Sequence, residues 1–383
     1  MKYCKRCVQP DTRPGIVFDD EGICPPCRFV ELAPEIDWNE RNKELQEVVA
    51  WGRAHSNAGY DCIVTVSGGK DSLRQALFVR DELGLKPLLA CCSYPPEELT
   101  ERGAYNLGNL ISLGFDCVTV SPDPIVWKEL MRQGFFRFGN FFKSTEMALY
   151  ASGPKVSIAY QIPLIFYGEN PAVTIGEMKK GFTVNSDGNT MKYSSNTLDG
   201  GDPSRLLTDE MTRQDVLWHY YPEDDEIEWA KMRIVYLGHF MQDFNQHKNA
   251  EVAIKHGLKV RDEKPEETGD IYGFSALDDD FVIVNQMIKY LKFGFGRSTE
   301  DVLDAIRLKM MTREKGLESV QKYDGVCHER YVRKFCRFAG ISDQEFWQVV
   351  ESYWNKDIVQ KGADGKYYVR ELKELIDSLK EKV

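Results

Sequence analysis

The stretch "IVTVSGGKDSLRQAL", residues 63 to 77, runs a β-branched strand into two glycines, a lysine, an aspartate and a serine, and then into a helix. The GxxxxGK[ST] spacing of the common nucleotide-binding loop is absent, because Lys70 follows Gly69 directly. The physical ingredients of an anion cradle are nevertheless present. Ser67 ends the strand, and Gly68 and Gly69 let the backbone approach a ligand closely. A helix beginning near Asp71 and Ser72 aims unpaired N–H groups and its positive dipole end at the same point. Pyrophosphate fits such a loop, with Lys70 adding charge and Asp71 placed to orient a Mg²⁺ that bridges phosphates. The competing reading is a generic strand-to-helix turn.

Outward from this junction, apolar runs recur at "YDCIVTV" (60 to 66), "KPLLACC" (86 to 92), "FDCVTV" (115 to 120), "IPLIFYG" (162 to 168) and "MRIVYLG" (232 to 238). Helical patterns separate the first four. Continuous apolar strands alternating with helices predict an α/β fold with a parallel five-stranded sheet covered on both faces. Ligands of such sheets sit at the carboxyl ends of the strands. That rule selects "SGGKDS", "GEN" (168 to 170) and "GHFMQDF" (238 to 244) together. The polar segment between Asn170 and Lys231 is too long for an ordinary connection and reads as a substrate-facing insertion. Beyond residue 278 the pattern reads as helical throughout, with Ser298 and Thr312 as N-caps. The expected organisation is residues 1–36, then 37–277 with the insertion near 170–231, then a helical region over 278–383.

The first of these units carries two cysteine pairs, Cys4 and Cys7 in "CKRC" and Cys24 and Cys27 in "CPPC". Pro10, Pro14, Gly15 and Gly22 let the intervening chain fold back, so the spacing predicts a four-thiolate knuckle of the kind structural zinc prefers. An iron–sulfur cluster is the alternative for the same donor set. Two redox pairs within 27 residues fit poorly, because each needs its own strand-to-helix context. A unit this small needs its metal to fold. Cys62, Cys91, Cys92 and Cys117 lie in strand-like runs and read as small hydrophobes.

The chain has 383 residues, 42% of them hydrophobic, enough for a sizeable core. Its 49 Lys and Arg against 60 Asp and Glu give a net charge of −11, which argues against the broad basic surface of a nucleic-acid binder. No run has the length and apolarity of a signal peptide or a membrane helix, and the expected location is cytoplasmic.

Two resemblances rest on these motifs. "SGGKDS" resembles the signature of the PP-loop ATP pyrophosphatases, which include asparagine and GMP synthetases and tRNA-thiolating enzymes. The resemblance implies a Rossmann-like sheet of that type, ATP cleaved between its α and β phosphates, and Ser67, Gly68, Gly69, Lys70, Asp71 and Ser72 around the pyrophosphate. Over nearly the whole chain, "KYCKRCVQPDTRPGIVFDDEGICPPC", "IPLIFYGEN", "KYLKFGFGRSTEDVLDAIR", "TREKGLESVQKYDG" and "FCRFAGISDQEFWQVV" are similar to the N-acetyl sugar amidotransferases. The N-terminal segment is most similar to the branch that modifies pseudaminic acid. This implies ATP-dependent conversion of an acetamido group on a bacterial surface sugar to an acetamidino group, with ammonia supplied free or by a separate glutaminase partner. "SYPPEELTERGAYNL" (93 to 107) and "NPAVTIGEMKKGF" (170 to 182) depart from the family pattern and are the expected sugar-facing parts.

Further candidates follow from position. Glu169 and Asn170 end a buried strand at the ligand edge, where they are placed to act on the adenylate, the acetamido group or the incoming ammonia. Lys292 and Arg297 flank two glycines in "KFGFGR" and are candidates for a phosphate or a sugar carboxylate. Arg313 reads equally as a site residue or a solvated helix start. His219 reads as packing, and His239 follows the fifth strand. The second functional reading is a tRNA thiolase, whose only plausible reactive thiols here are Cys91 and Cys92.

Overall fold

The computed structural model describes residues 1–168, 174, 186–193 and 201–380, with side chains described to 378. Five strands, β1 (Cys62–Val66), β2 (Pro87–Cys92), β3 (Cys117–Val120), β4 (Leu164–Tyr167) and β5 (Arg233–Tyr236), form one sheet in the order β3-β2-β1-β4-β5. All four pairings are parallel. Each strand falls within the apolar run expected for it.

Alternation along the strands sends side chains to both faces, and both are covered. Cys62, Val64, Val66, Leu89, Cys91, Phe166 and Val235 join a core with Leu45, Val48 and Val49 of the Trp38–His55 helix and Leu73 of the Lys70–Leu77 helix. Ile63, Leu88, Ala90, Ile165, Tyr167, Ile234 and Tyr236 pack instead against Leu130, Met147, Ala151 and Val156. Those four come from the helices Pro124–Phe138 and Phe142–Tyr160. Burial of each large apolar side chain contributes about 1.5–3 kcal/mol.

From β1 the chain moves outward to β2 and β3, then returns to β4 on the other side of β1. The loops after β1 and β4 therefore diverge and leave a crevice at the carboxyl edge of the sheet.

The knuckle is not a detached appendage. Cys4, Cys7, Val8, Ile16, Ile23, Cys24 and Cys27 share one buried cluster with Phe281, Leu291, Leu303, Leu317, Phe335 and Ile376. Thr12 Oγ1 donates to the Phe293 carbonyl at 2.5 Å. Arg313 Nε donates to the carbonyls of Cys7, at 2.9 Å, and Cys4, at 3.3 Å, which gives this arginine a clasping role.

The C-terminal region departs from the expectation in two places. It is helical from Phe281 to Tyr353, but strands β6 (Val359–Lys361) and β7 (Tyr367–Val369) then form an antiparallel hairpin. The turn between them uses Gly365 at φ +80°. Ser298 is not an N-cap. Its hydroxyl donates to the Gly269 carbonyl at 2.6 Å, inside a helix that starts at Arg297. The cap comes from Asp324, 25 residues after Thr299, whose oxygens accept the N–H groups of Gly296 and Thr299, each at 3.0 Å. Thr312 does cap its helix, accepting the Lys315 N–H. Among the described residues no helix is long and apolar enough to cross a membrane.

Candidate functional site

The Ser67–Ser72 loop lies at the crevice. The Ser67 N–H donates to Ser72 Oγ at 3.0 Å, which folds the loop onto the first turn of the helix it introduces. Gly68 has φ +87°, and a Cβ there would stand 2.6 Å from the Leu107 nitrogen. The fold itself therefore demands glycine at 68. Gly69 differs: its φ is −75°, and a Cβ would meet only Ser67 Oγ at 3.4 Å. Among the described residues nothing excludes a Cβ at 69, which leaves close ligand approach as a reason for glycine. The segment over residues 93 to 107, expected to face the sugar, places Leu107 behind this loop.

Lys70, 8% exposed, places Nζ 2.7 Å from Asp71 Oδ2. The other carboxylate oxygen of Asp71 accepts from Asn249 Nδ2 at 2.8 Å, with Asn249 itself fully buried in the Gln246–Lys255 helix. Both side chains thus have fixed orientations at the helix N-terminus.

Lys70 and Asp71 open onto a cavity of about 620 Å³. Its walls come from four parts of the chain: Phe29, Trp38 and Arg41 near the knuckle, Gly238 and His239 after β5, Ser275, and Arg297 to Leu308 of the C-terminal region. Five cationic side chains (Arg13, Arg41, Lys70, Arg297 and Arg307) and three carboxylates (Asp71, Glu300 and Asp304) line it. In a chain of net charge −11 this local positive balance is the electrostatics that would suit an anion.

Most of these cations are braced. Arg297 donates to Asp301 Oδ1 through Nε at 2.9 Å and Nη2 at 2.6 Å, and to Ser275 Oγ at 2.9 Å. Arg13 donates to Gln9 Oε1 at 3.1 Å and to Glu300 Oε1 at 3.3 Å. Lys289 also reaches Glu300 Oε1, at 2.8 Å. Burial alone would raise the Glu300 carboxyl, but Lys289, Arg13 and Arg297 outweigh it and hold it down to about 2. Arg41 donates to the His239 carbonyl at 2.6 Å, and His239 Nε2 lies 3.8 Å from Glu44. Arg307 donates to the Thr174 carbonyl at 3.3 Å and stands in the field of the Cys7, Cys24 and Cys27 sulfurs.

The structure brings Lys70, Asp71 and Arg297 to this cavity but puts Lys292 elsewhere. Lys292 Nζ donates to the Phe138 carbonyl at 2.7 Å and lines a second cavity of about 760 Å³. Arg13 and Glu300 line both cavities and form the wall between them. Glu169 and Asn170 lie outside the described residues. The neighbouring Gly168 carbonyl accepts the Gly238 N–H at 2.9 Å, which ties the ends of β4 and β5 together. His219 packs on Trp127 at 5.7 Å between ring centroids, and burial pushes it down to about 4, as suits a core residue.

Arg13, Arg41 and Arg307 were not among the sequence candidates. They come from three distant stretches of sequence, and only tertiary packing brings them together.

The four knuckle cysteines are buried, and their Sγ atoms all lie within 4.8 Å of one another. Cys7 Sγ and Cys24 Sγ are 3.7 Å apart. Four thiolates around zinc at its usual Zn–S length of about 2.3 Å stand about 3.8 Å apart, so the donor set fits a tetrahedral metal. Backbone N–H groups of Arg6 and Cys24 point at Cys4 Sγ (3.4 and 3.3 Å), and that of Gln9 points at Cys7 Sγ (3.4 Å). Such bonds orient sulfur ligands and offset their charge.

Residues 268–373 match the family model described as the LPS biosynthesis protein WbpG-like C-terminal domain. No curated protein matches the chain. The matched stretch contains Lys289, Lys292, Arg297, Glu300 and Arg307, whereas the Ser67–Ser72 loop lies outside it.

Proposed function

We propose that this protein is an ATP-dependent amidotransferase that converts the acetamido group of a bacterial surface sugar, such as a nonulosonic acid of the pseudaminic type or its nucleotide-activated form, into an acetamidino group. The observation that carries the reading is the junction of two parts. The Lys70–Asp71 loop and a stretch similar to an LPS-biosynthesis domain close on the same cavity.

An amide is a poor electrophile, because resonance strengthens its C–N bond and its oxygen is a poor leaving group. In the proposed reaction the acetamido oxygen attacks the α-phosphorus of ATP and the bond to the β-phosphate breaks, releasing pyrophosphate. Ammonia adds to the imidate carbon, the C–O bond breaks with AMP, and a proton leaves the nitrogen. The loop amides and Lys70 stabilise the departing pyrophosphate. Asp71 is the residue to carry a Mg²⁺ beside the phosphates. Arg297, held by Asp301 and Ser275, is a fixed cation facing the same space. Glu169, one residue beyond Gly168, is assigned to the incoming nitrogen. Ammonia is taken free or from a separate glutaminase.

The tRNA thiolase reading is disfavoured by the thiols it needs. Cys91 and Cys92 are buried in the sheet, and burial pushes the Cys92 thiol up to about 11, so neither offers a thiolate at neutral pH.

The test uses ATP, nitrogen-15 ammonium and acetamido sugars labelled with oxygen-18 in the carbonyl. Nitrogen-15 in an amidine product and oxygen-18 in AMP are expected. Unlabelled AMP formed alongside amidine, or sulfur delivered to tRNA, overturns the reading.

A further inference from the structure

The second cavity combines aromatic, amide and charged walls without any residue of the Ser67–Ser72 loop. Its walls include the rings of Phe138, Phe142, Phe293 and Phe295 beside the amides of Asn140, Asn285 and Gln286. Aromatic faces beside amides and carboxylates suit a ring with apolar C–H faces and hydroxyl edges. Five cations (Arg13, Lys143, Arg205, Lys289 and Lys292) against three carboxylates (Glu146, Asp202 and Glu300) favour a ligand that also bears an oxyanion. Gln286 Oε1 is buried with no hydrogen-bond partner among the described residues. Burial pushes the Glu146 carboxyl up to about 7, so near neutral pH it both donates and accepts.

One feature separates this cavity from an ATP site: it contains no part of the Ser67–Ser72 loop, while the matched C-terminal stretch lines both cavities. At about 620 Å³ the loop cavity has the volume of a single nucleotide-sized ligand rather than two. We propose that the second cavity, between the Phe142–Tyr160 and Phe281–Phe293 helices, is the binding site for the body of an anionic acetamido sugar, whose oxyanion is a carboxylate or a diphosphate. The sugar then meets the nucleotide at the Arg13–Glu300 wall common to both cavities. The inference rests on the amidotransferase reading for the identity of the sugar, but not for the existence of the site.

Calorimetric titration of the full, metal-loaded chain without ATP tests it. The probes are N-acetylneuraminic acid, UDP-N-acetylglucosamine and neutral N-acetylglucosamine. A nonhydrolysable ATP analogue is titrated separately. One or both anionic probes should bind at least tenfold more tightly than the neutral sugar, and which of them binds identifies the oxyanion. Ser204 is exposed at the cavity wall, and its hydrogen bonds among the described residues are made by its backbone, the N–H to Asp202 and the carbonyl from the Leu207 N–H. Ser204→Trp should therefore plug the cavity without disturbing the fold and weaken the anionic probe at least tenfold. Lys292→Ala should do the same, and both variants should bind the ATP analogue as the wild type does. Anionic-probe affinity unchanged in both variants, or no binding of any probe to the wild type, overturns the proposal. Sugar binding that is sensitive to Ser204→Trp in a protein that ignores the ATP analogue would sink the ATP-dependent reading and keep the cavity assignment.

Discussion

Asn249 Nδ2 donates to Asp71 Oδ1 at 2.8 Å, across 178 residues of sequence, and so fixes a carboxylate at the mouth of the glycine loop from the Gln246–Lys255 helix. With Lys70 on the other oxygen, Asp71 is oriented before any ligand arrives. This is the preorganisation that electrostatic catalysis needs.

Removing that donor should cost activity more than stability. Asn249→Ala is expected to lower ATP-dependent pyrophosphate release about tenfold or more, equivalent to about 1.4 kcal/mol in the barrier. Lys70→Ala and Asp71→Asn should abolish release with circular dichroism unchanged. Rates at wild-type level in Asn249→Ala would show that Asp71 needs no such support.

The two glycines of the loop should respond oppositely to alanine. Gly68→Ala puts a Cβ 2.6 Å from the Leu107 nitrogen at a positive φ, and should destabilise the fold by about 1–3 kcal/mol. Gly69→Ala meets only Ser67 Oγ at 3.4 Å, so its melting temperature should stay near that of the wild type while pyrophosphate release falls. Thermal melts and the release assay on both variants check the pair. Full activity in Gly69→Ala would remove close backbone approach from the account.

The knuckle should lose its metal by two routes. Cys4→Ser removes a ligand, and metal content and solubility should fall together, because binding energy at such a site is folding energy. Arg313→Ala leaves every sulfur in place but removes the bonds to the Cys4 and Cys7 carbonyls. It should destabilise by about 1–3 kcal/mol and speed metal loss to a chelator. Metal analysis of anaerobically purified protein distinguishes zinc from an iron–sulfur cluster.

A buried carboxyl pair should make stability depend on pH. Glu98 Oε2 accepts from Trp127 Nε1 at 2.8 Å and Asp279 Oδ1 accepts the Phe281 N–H at 2.6 Å, which leaves Glu98 Oε1 and Asp279 Oδ2 with no hydrogen-bond partner among the described residues. Burial, then neighbouring acids, raises both groups, with Asp279 at about 8. Carboxyls raised in the fold bind protons more tightly folded than unfolded. Their contribution is therefore full below about pH 4 and is lost as pH rises through about 8. Asp279→Asn keeps the acceptor for Phe281 and should flatten the decline of the melting temperature between those limits. An unaltered slope would assign the dependence to other groups.

The sheet was legible because four of its strands are buried almost throughout and read as apolar runs, while the edge strand β3, though partly exposed, keeps the same composition. The cysteine cluster was legible because ligand spacing is local. The loop cavity was only partly so. Lys70 and Asp71 sit in a motif, but Arg13, Arg41 and Arg307 are brought to them by packing between distant segments, and no local pattern encodes that. The Arg297 helix shows the same limit on a smaller scale: Ser298 has the right residue type for a cap, but Asp324 supplies the bonds from a later segment and the serine is drawn inward to Gly269. Lys292 and Arg297, five residues apart, face different cavities because the intervening glycines turn the chain between two helices.

The embrace of the knuckle by Phe293, Glu300 and Arg313 has a consequence for the order of events during synthesis. The cysteines leave the ribosome early, whereas the groups that hold them, and that build the cavity wall with Arg13, emerge about 280 to 300 residues later. At about 5–20 residues per second this is an interval of roughly 15–60 seconds. Through that time the thiols wait without their final lodging, exposed to whichever metal the cell presents. The identity of an ion held there would then depend on supply during translation as well as on the preference of four sulfurs, and the cavity takes shape only when the two distant segments of the chain have met.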